Sequence, residues 1–290
     1  MNAPQLRCVP FKQVDVFTKI PFRGNPVAVI LDGDGLSSAQ MQAIAGWTNL
    51  SETTFVCAPT QTGADYKLRI FTPKEEIPFA GHPTLGSAWA LLQFGLKPKK
   101  EGRLVQECAK GLIVVRQTGD LLSFSLPQPT FAEPGKTNLT KVARALGIDA
   151  EDILLESVID VGPVWLTLQL PSAESVVNLK PDMVAIAALS QGGYTGITVF
   201  GLHDSRDHGL VEVRSFAPAF GVPEDPVCGS GNGCVAALIR CGHALDGASY
   251  VARQGQTLGR DGYVHIEFDA EDTIWVGGNA VTCIDGLLAV

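Results

Sequence analysis

Residues 213–239 read VRSFAPAFGVPEDPVCGSGNGCVAALI, and residues 68–92 read LRIFTPKEEIPFAGHPTLGSAWALL. Both open on Arg-x-Phe-x-Pro, with Arg214, Phe216 and Pro218 in one and Arg69, Phe71 and Pro73 in the other. Each then passes through an irregular acidic loop and a glycine-rich turn into an alanine-rich run of helical character. Ala80-Gly81-His82 thereby aligns with Cys228-Gly229-Ser230. Upstream, GNPVAVIL (24–31) resembles VGPVWLTL (161–168), and MQAIA (41–45) resembles MVAIA (183–187). Matches that recur in one order set the pattern apart from chance and point to a duplicated plan.

Alternating apolar segments with hairpin punctuation, such as GLIVVRQTGDLLSFSL (111–126), predict strands. The runs SSAQMQAIAGWT (37–48) and TLGSAWALLQFG (84–95) predict helices, the second stopped by Gly95 as a C-cap. The expected fold is α+β: two lobes, each a sheet wrapped around an apolar helix, joined by the proline-rich crossover LPQPTFAEPGKT (126–137). The N-terminal lobe is expected over 1–127 and the C-terminal lobe over 128–290, with the final strand free to return to the first. A duplicated lobe implies a cleft between its copies, a preferred seat for a small ligand.

With 290 residues, 46% hydrophobic and 18% charged, the chain has enough apolar material for a sizeable core. A net charge of −8, with KPKK (97–100) as the one tight basic cluster, argues against a nucleic-acid partner. No apolar run reaches membrane-spanning length, so no membrane partner is expected either. The opening MNAPQLRCVPFKQVDVF lacks a signal-peptide h-region, and seven cysteines is an odd number. Together these predict reduced thiols and a cytoplasmic location. Cys228 and Cys234 lack the further ligands a zinc site needs, so no metal is expected.

Each glycine-rich turn stands at the start of an apolar helix, where unpaired backbone N–H groups and the helix dipole favour an anion. Two such ends suit a small carboxylate, whereas GSGNGC (229–234) lacks both the P-loop Lys-Ser/Thr and the dinucleotide glycine spacing. SETTFV (51–56) falls where the other half has TGITVF (195–200), which places Glu52 opposite Gly196. A carboxylate at the edge of an apolar strand in one half only is a candidate acid/base, or else an N-cap or surface glutamate. His82 reads as a site residue or a turn residue, and Asp225, before Pro226, as a site residue or a turn initiator. Cys228, beside a helix N-terminus, reads either as a thiol of lowered pKa able to act as base or nucleophile, or as a simply packed thiol.

The segments VDVFT (14–18), GNPVAVIL, NLSETTFV (49–56), FTPKEEIPFAGHPTLGSAWAL (71–91) and RSFAPAFGVPEDPVCGSG (214–231) together resemble the PhzF family of phenazine-biosynthesis-like proteins. The resemblance runs from about residue 13 into the final GGNAVTCIDGLLAV. It implies a diaminopimelate epimerase-like fold of two pseudo-symmetric lobes, each a barrel-like, mostly antiparallel sheet around a central helix. It also implies an isomerase: Glu52 as the general acid/base moving a proton between substrate carbons, with His82 and Asp225 assisting. Gly81, Gly229, Ser230 and Asn25 would bind the substrate and its carboxylate. No cofactor is implied, the assembly would be a homodimer, and the archetypal substrate is trans-2,3-dihydro-3-hydroxyanthranilate. The family commonly reads EDPATGSA where this chain has Val227-Cys228 and Gly231. In related epimerases and racemases cysteines stand at both matching turns; here Cys228 takes one place and Ala80 the other. Cys228 is thus a candidate secondary acid/base, and an amino-acid epimerase pairing it with Glu52 stays open beside the isomerase. So does a non-catalytic small-molecule binder.

Overall fold

A computed structural model describes residues 7–132, 138–190, 193–204 and 211–290. The first elements along the chain are β1 (Cys8–Val16), β2 (Asn25–Ile30), α1 (Ser38–Thr48), β3 (Thr53–Cys57), β4 (Tyr66–Phe71), β5 (Glu76–Ile77), α2 (Gly81–Gln93), β6 (Arg103–Cys108), β7 (Gly111–Thr118) and β8 (Leu121–Ser125). Then come β9 (Thr130–Ala132), α3 (Leu139–Leu146), β10 (Leu155–Asp160), β11 (Val164–Gln169), α4 (Ala173–Val177), α5 (Met183–Leu189), β12 (Gly196–Leu202) and β13 (Val211–Ala217). The last are β14 (Val222–Asp225), α6 (Gly229–Gly242), β15 (Ser249–Gln254), β16 (Gly262–Phe268), β17 (Ile274–Gly278) and β18 (Ala280–Ala289). The fold is α+β with mixed, mostly antiparallel pairing. Of the described residues, those within 1–22, 26–124 and 278–290 form one compact unit, and those within 23–25 and 125–277 a second.

In the first unit β2 runs parallel to β3, β3 pairs antiparallel with β4, and β4 takes β5 antiparallel and β6 parallel. A hairpin series through β7 and β8 follows, and the last strand, β18, lies antiparallel along β1. The second unit repeats the order: β11 parallel to β12, β12 antiparallel to β13, β13 with β14 antiparallel and β15 parallel, then β16 and β17. A parallel step needs a crossover connection. Helix α1 supplies it between β2 and β3, α2 between β4 and β6, α4 and α5 between β11 and β12, and α6 between β13 and β15.

The Arg-x-Phe-x-Pro motif has a physical role in both units. Arg69 on β4 makes a two-pronged pair with Glu76 of β5, at 2.7 and 2.6 Å, and lies 5.1 Å from the centre of the Phe71 ring. Arg214 on β13 does the same with Glu224 of β14, at 2.9 and 2.9 Å, and sits 5.1 Å from the Phe216 ring. The acidic segments expected to be irregular loops are therefore short return strands, since each arginine fixes a glutamate across the hairpin. Arg214 also donates to the carbonyls of Val176 and Leu179 at the end of α4, at 3.2 and 3.0 Å.

Each return strand delivers the chain into a helix that is almost wholly buried, α2 against β1, β3 and β18, and α6 against β10, β11 and β12. The helices begin earlier than their hydrophobic pattern suggested. The glycine-rich stretches Gly81-His82 and GSGNG are the first helical turns rather than loops before them. Small residues are needed where neighbours pass close: a Cβ on Gly86 would collide with Val27 and Val16, and one on Gly231 with Ser215 Oγ. Gly95, at φ +97°, lies just past the C-cap Phe94. Strand β3 sits between two helices, its Phe55 packing with Met41 and Ala45 of α1 while Thr54 bonds Ser87 of α2 at 2.8 Å. Of the expected proline-rich crossover, Thr130–Ala132 is the strand β9, paired with β10, and residues 133–137 lie outside the described residues.

The two arginine clamps differ in burial. The side chains of Arg214 and Glu224 are 6% and 9% exposed, those of Arg69 and Glu76 22% and 42%. Arg214→Ala strands a buried carboxylate and is expected to cost about 3 kcal/mol or more of unfolding free energy. Arg69→Ala is expected to cost about 1 kcal/mol or less. Urea denaturation of the two variants measures the contrast, and equal losses would contradict it.

Candidate active site

Two clusters gather the residues singled out by the sequence. In the first unit, Glu52 immediately precedes β3 and His82 sits in the first turn of α2. Their side chains meet, Glu52 Oε2 to His82 Nε2, at 3.3 Å. The flanking threonines hold Glu52 in place: Thr53 Oγ1 lies 2.7 Å from Thr48 Oγ1, and Thr54 is tied to Ser87. Thr84 Oγ1 closes the first turn of α2 onto the Ala80 carbonyl at 2.9 Å. Glu52 Oε2 is buried and accepts no hydrogen bond among the described residues. A buried polar atom left so is uncommon and calls for a functional account.

Burial is the largest influence on the His82 imidazole and pushes its pKa below the ordinary histidine value. The negative charge of Glu52, a hydrogen bond to the Pro26 carbonyl and the charge of Asp15 oppose that shift without cancelling it. The neutral imidazole is thus the form the fold favours. Asp15, on β1 and 2% exposed, went unnoticed in the sequence. Its one signal is a lone acid within the apolar run VDVF.

In the second unit, Asp225 ends β14 and Cys228 caps α6, so Gly229 and Ser230 form the first turn. Asp225 Oδ1 accepts from the Val227 amide at 3.0 Å and from Asn25 Nδ2 at 2.9 Å, and Asn25 Nδ2 also reaches the Val227 carbonyl at 3.0 Å. Gln254 locks the turn from the other side. Its Oε1 accepts from the Cys228 amide at 3.0 Å and Asn232 Nδ2 at 2.9 Å, and its Nε2 donates to the Asp225 carbonyl at 3.0 Å. Ser230 Oγ accepts from Trp165 Nε1 at 3.0 Å and lies 3.5 Å from Cys228 Sγ. Gln254, Asn232 and Trp165 were not singled out from the sequence, because each is distant along the chain or hidden in an apolar run.

Of the two readings of Cys228, burial favours the packed thiol over the one of lowered pKa. The thiol is 3% exposed and burial, followed by the charge of Asp225, pushes it well above its ordinary value. Hydrogen bonds with Ser230 and the Gly231 amide pull the other way and lose. At this helix start, desolvation outweighs the N-terminal dipole.

The backbone N–H groups of Gly81 and of Gly229 belong to first helical turns, where no intrahelical carbonyl is available to them. Such groups can hold a carboxylate. No group of three or more metal-ligating side chains occurs among the described residues, and no described helix is long and apolar enough to cross a membrane.

His82 supplies a test through pH. A depressed folded pKa means that the unfolded chain binds more protons between the two values, so stability rises with pH there. The contribution is fully present above the ordinary value of 6.5 and is lost as pH falls through the folded one. Thermal melts between neutral and acidic pH are expected to show this decline in the wild type and a shallower one in His82→Gln. Identical slopes would remove His82 as its source.

Comparison with known proteins adds a second line. The family model described as "Phenazine biosynthesis-like protein" (PhzC-PhzF) matches residues 14–286. A protein of Schizosaccharomyces pombe called "Antisense-enhancing sequence 1" is 42% identical, over 95% of this chain and 97% of that one. The trans-2,3-dihydro-3-hydroxyanthranilate isomerase of Pseudomonas fluorescens is 38% identical, over 93% of this chain and 95% of that one. Among solved structures, the PhzF-family phenazine biosynthesis protein of Bacillus anthracis superposes with a TM-score of 0.84, covering 98% of this chain and all of that one. Its sequence identity is 24%, so it speaks for the fold alone.

Proposed function

The chain belongs to the phenazine biosynthesis-like protein family, and on that premise we propose that it is a cofactor-independent isomerase moving a proton between carbons of a small carboxylate-bearing substrate. The first candidate is trans-2,3-dihydro-3-hydroxyanthranilate, on which the Pseudomonas fluorescens relative is named as acting. The observation that carries the reading is the buried Glu52 Oε2, without a hydrogen bond among the described residues and 3.3 Å from His82 Nε2. A carboxylate oxygen shielded from water and set beside a second titratable group suits a base that takes a proton from carbon.

In this reading Glu52 removes the proton from C3, the diene electrons shift, and the proton is returned at another carbon as the ring rearranges to a ketone. Nothing is oxidised or lost. His82, neutral by burial, hydrogen-bonds polar groups of the substrate and guides the proton. Asp225 binds a polar group of the substrate, and Asn25, both of whose amide protons reach Asp225 and Val227, keeps that carboxylate oriented. The Gly229 amide and the Ser230 hydroxyl hold the substrate carboxylate, and the Gly81 amide, at the like position of the first unit, is a second anion-binding donor. A cytoplasmic homodimer belongs to the same proposal, on the family likeness.

The epimerase alternative needs Cys228 as a thiolate, and its burial and raised pKa weigh against that. NMR in D2O with trans-2,3-dihydro-3-hydroxyanthranilate, and separately with L-amino acids, tests both readings. Rearrangement with solvent deuterium entering the ring is expected. Glu52→Gln should lower kcat by about 10² or more, while Cys228→Ser should leave the rate within about threefold, no proton being routed through the thiol. Deuterium at an amino-acid α-carbon, lost in Cys228→Ser, would reverse the assignment. Ligand binding without turnover of any candidate would favour the non-catalytic binder.

A further inference from the structure

The repeated plan places unlike residues at like positions. Pro26-Val27-Ala28 aligns with Pro163-Val164-Trp165, Glu52 with Gly196, and His82 with Ser230. In the first unit the Ala28 amide approaches the Glu52 carbonyl at 3.5 Å, and the Glu52 side chain meets His82 at 3.3 Å. In the second unit Trp165 pairs with Gly196 across β11 and β12, and its indole reaches Ser230 at 3.0 Å. No side chain can stand at position 196: a Cβ there would run into the Phe216 carbonyl and come within 2.9 Å of Trp165 Cζ3. Where one unit sets a carboxylate on the third residue of the turn, the other sets an indole on it.

We infer that Trp165 is a positioning residue that fixes Ser230 as the hydrogen-bond donor to a carboxylate oxygen of the ligand. This rests on the reading above, in which Ser230 binds the substrate carboxylate. An indole N–H can only donate, so it occupies a lone pair of the serine oxygen and bars the hydroxyl hydrogen from pointing back at it. Trp165 is 3% exposed, and a buried N–H without a partner is costly, so the bond holds the pair together. The hydroxyl hydrogen is left to point elsewhere. Its neighbour there, Cys228 Sγ at 3.5 Å, is a weak acceptor that a carboxylate oxygen displaces. Ser230 is only partly buried and so can be reached by a ligand.

Calorimetric titration with two probes tests the assignment: 3-hydroxyanthranilate, the aromatic counterpart of the proposed substrate, and 2-aminophenol, the same ring without its carboxylate. The wild type is expected to prefer the carboxylate probe. Ser230→Ala should cut that preference at least about tenfold, as for a charge-assisted bond. Trp165→Phe, which keeps a ring but loses the N–H, should cut it about fivefold. The double variant should lose no more than Ser230→Ala alone, because Trp165 acts through Ser230. In 15N-labelled protein, the indole signal that vanishes in Trp165→Phe should shift in Ser230→Ala, a readout available even if the Trp165 variant folds poorly. Equal affinity of the wild type for both probes would overturn the carboxylate role of Ser230, and with it the reading underneath. A discriminating wild type overturns the Trp165 assignment alone if Trp165→Phe discriminates equally well, if the losses simply add, or if the indole signal stays put in Ser230→Ala.

Discussion

The local geometry of both clusters depends on a guanidinium held against a carboxylate across a two-strand return. Arg214 with Glu224, and Arg69 with Glu76, pin the short strands from which the chain enters α6 and α2. Each helix then starts within a few residues of its clamp, so the clamp decides where the first helical turn is presented. The Phe216 and Phe71 rings beneath the arginines tie that placement to the core. Because the planar fork of arginine matches a carboxylate at two points, it sets orientation as well as distance.

From two similar launching points the units diverge chemically. Around His82 the first unit assembles a carboxylate, a carbonyl and a second acid, Asp15, in a buried setting that favours the neutral ring. Around Cys228 and Ser230 the second unit assembles amides: Asn25, Gln254 and Asn232 hydrogen-bond to the turn and to Asp225. Both ends of the Gln254 amide are engaged, which holds the turn from that side, while Asn232 Oδ1 is buried without a hydrogen bond among the described residues. The contrast follows from a few exchanged side chains on one repeated backbone plan.

Cys228 shows how strongly burial governs this site. A thiol at a helix start is commonly activated, and the Gly231 amide does donate to its sulfur at 3.2 Å. Yet the neighbouring helix is packed on all sides and Asp225 adds a like charge, so the thiolate is disfavoured. In the first unit burial likewise shields the Glu52 Oε2 atom, although the Glu52 side chain as a whole is partly exposed.

The sequence alone determined the duplicated plan, the family likeness, the helices α1, α2 and α6, the hairpin of β7 and β8, and the identities of Glu52, His82 and Asp225 as candidates. These were legible because each is written in neighbouring residues or in two matching stretches, where periodicity, turn chemistry and alignment act over short range. The helices start earlier than the hydrophobic pattern predicts, because that pattern registers only where the apolar run begins, whereas a glycine such as Gly231 already belongs to the helix and leaves room for Ser215. The tertiary structure decided the direction of the Cys228 pKa, the Gln254 lock 26 residues from the Cys228 amide it holds, and the Trp165 bond to Ser230 65 residues away. It also decided that Asn25 would reach Asp225, 200 residues on. Burial and long-range hydrogen bonding are properties of what the fold brings together, and no local pattern in the chain encodes them.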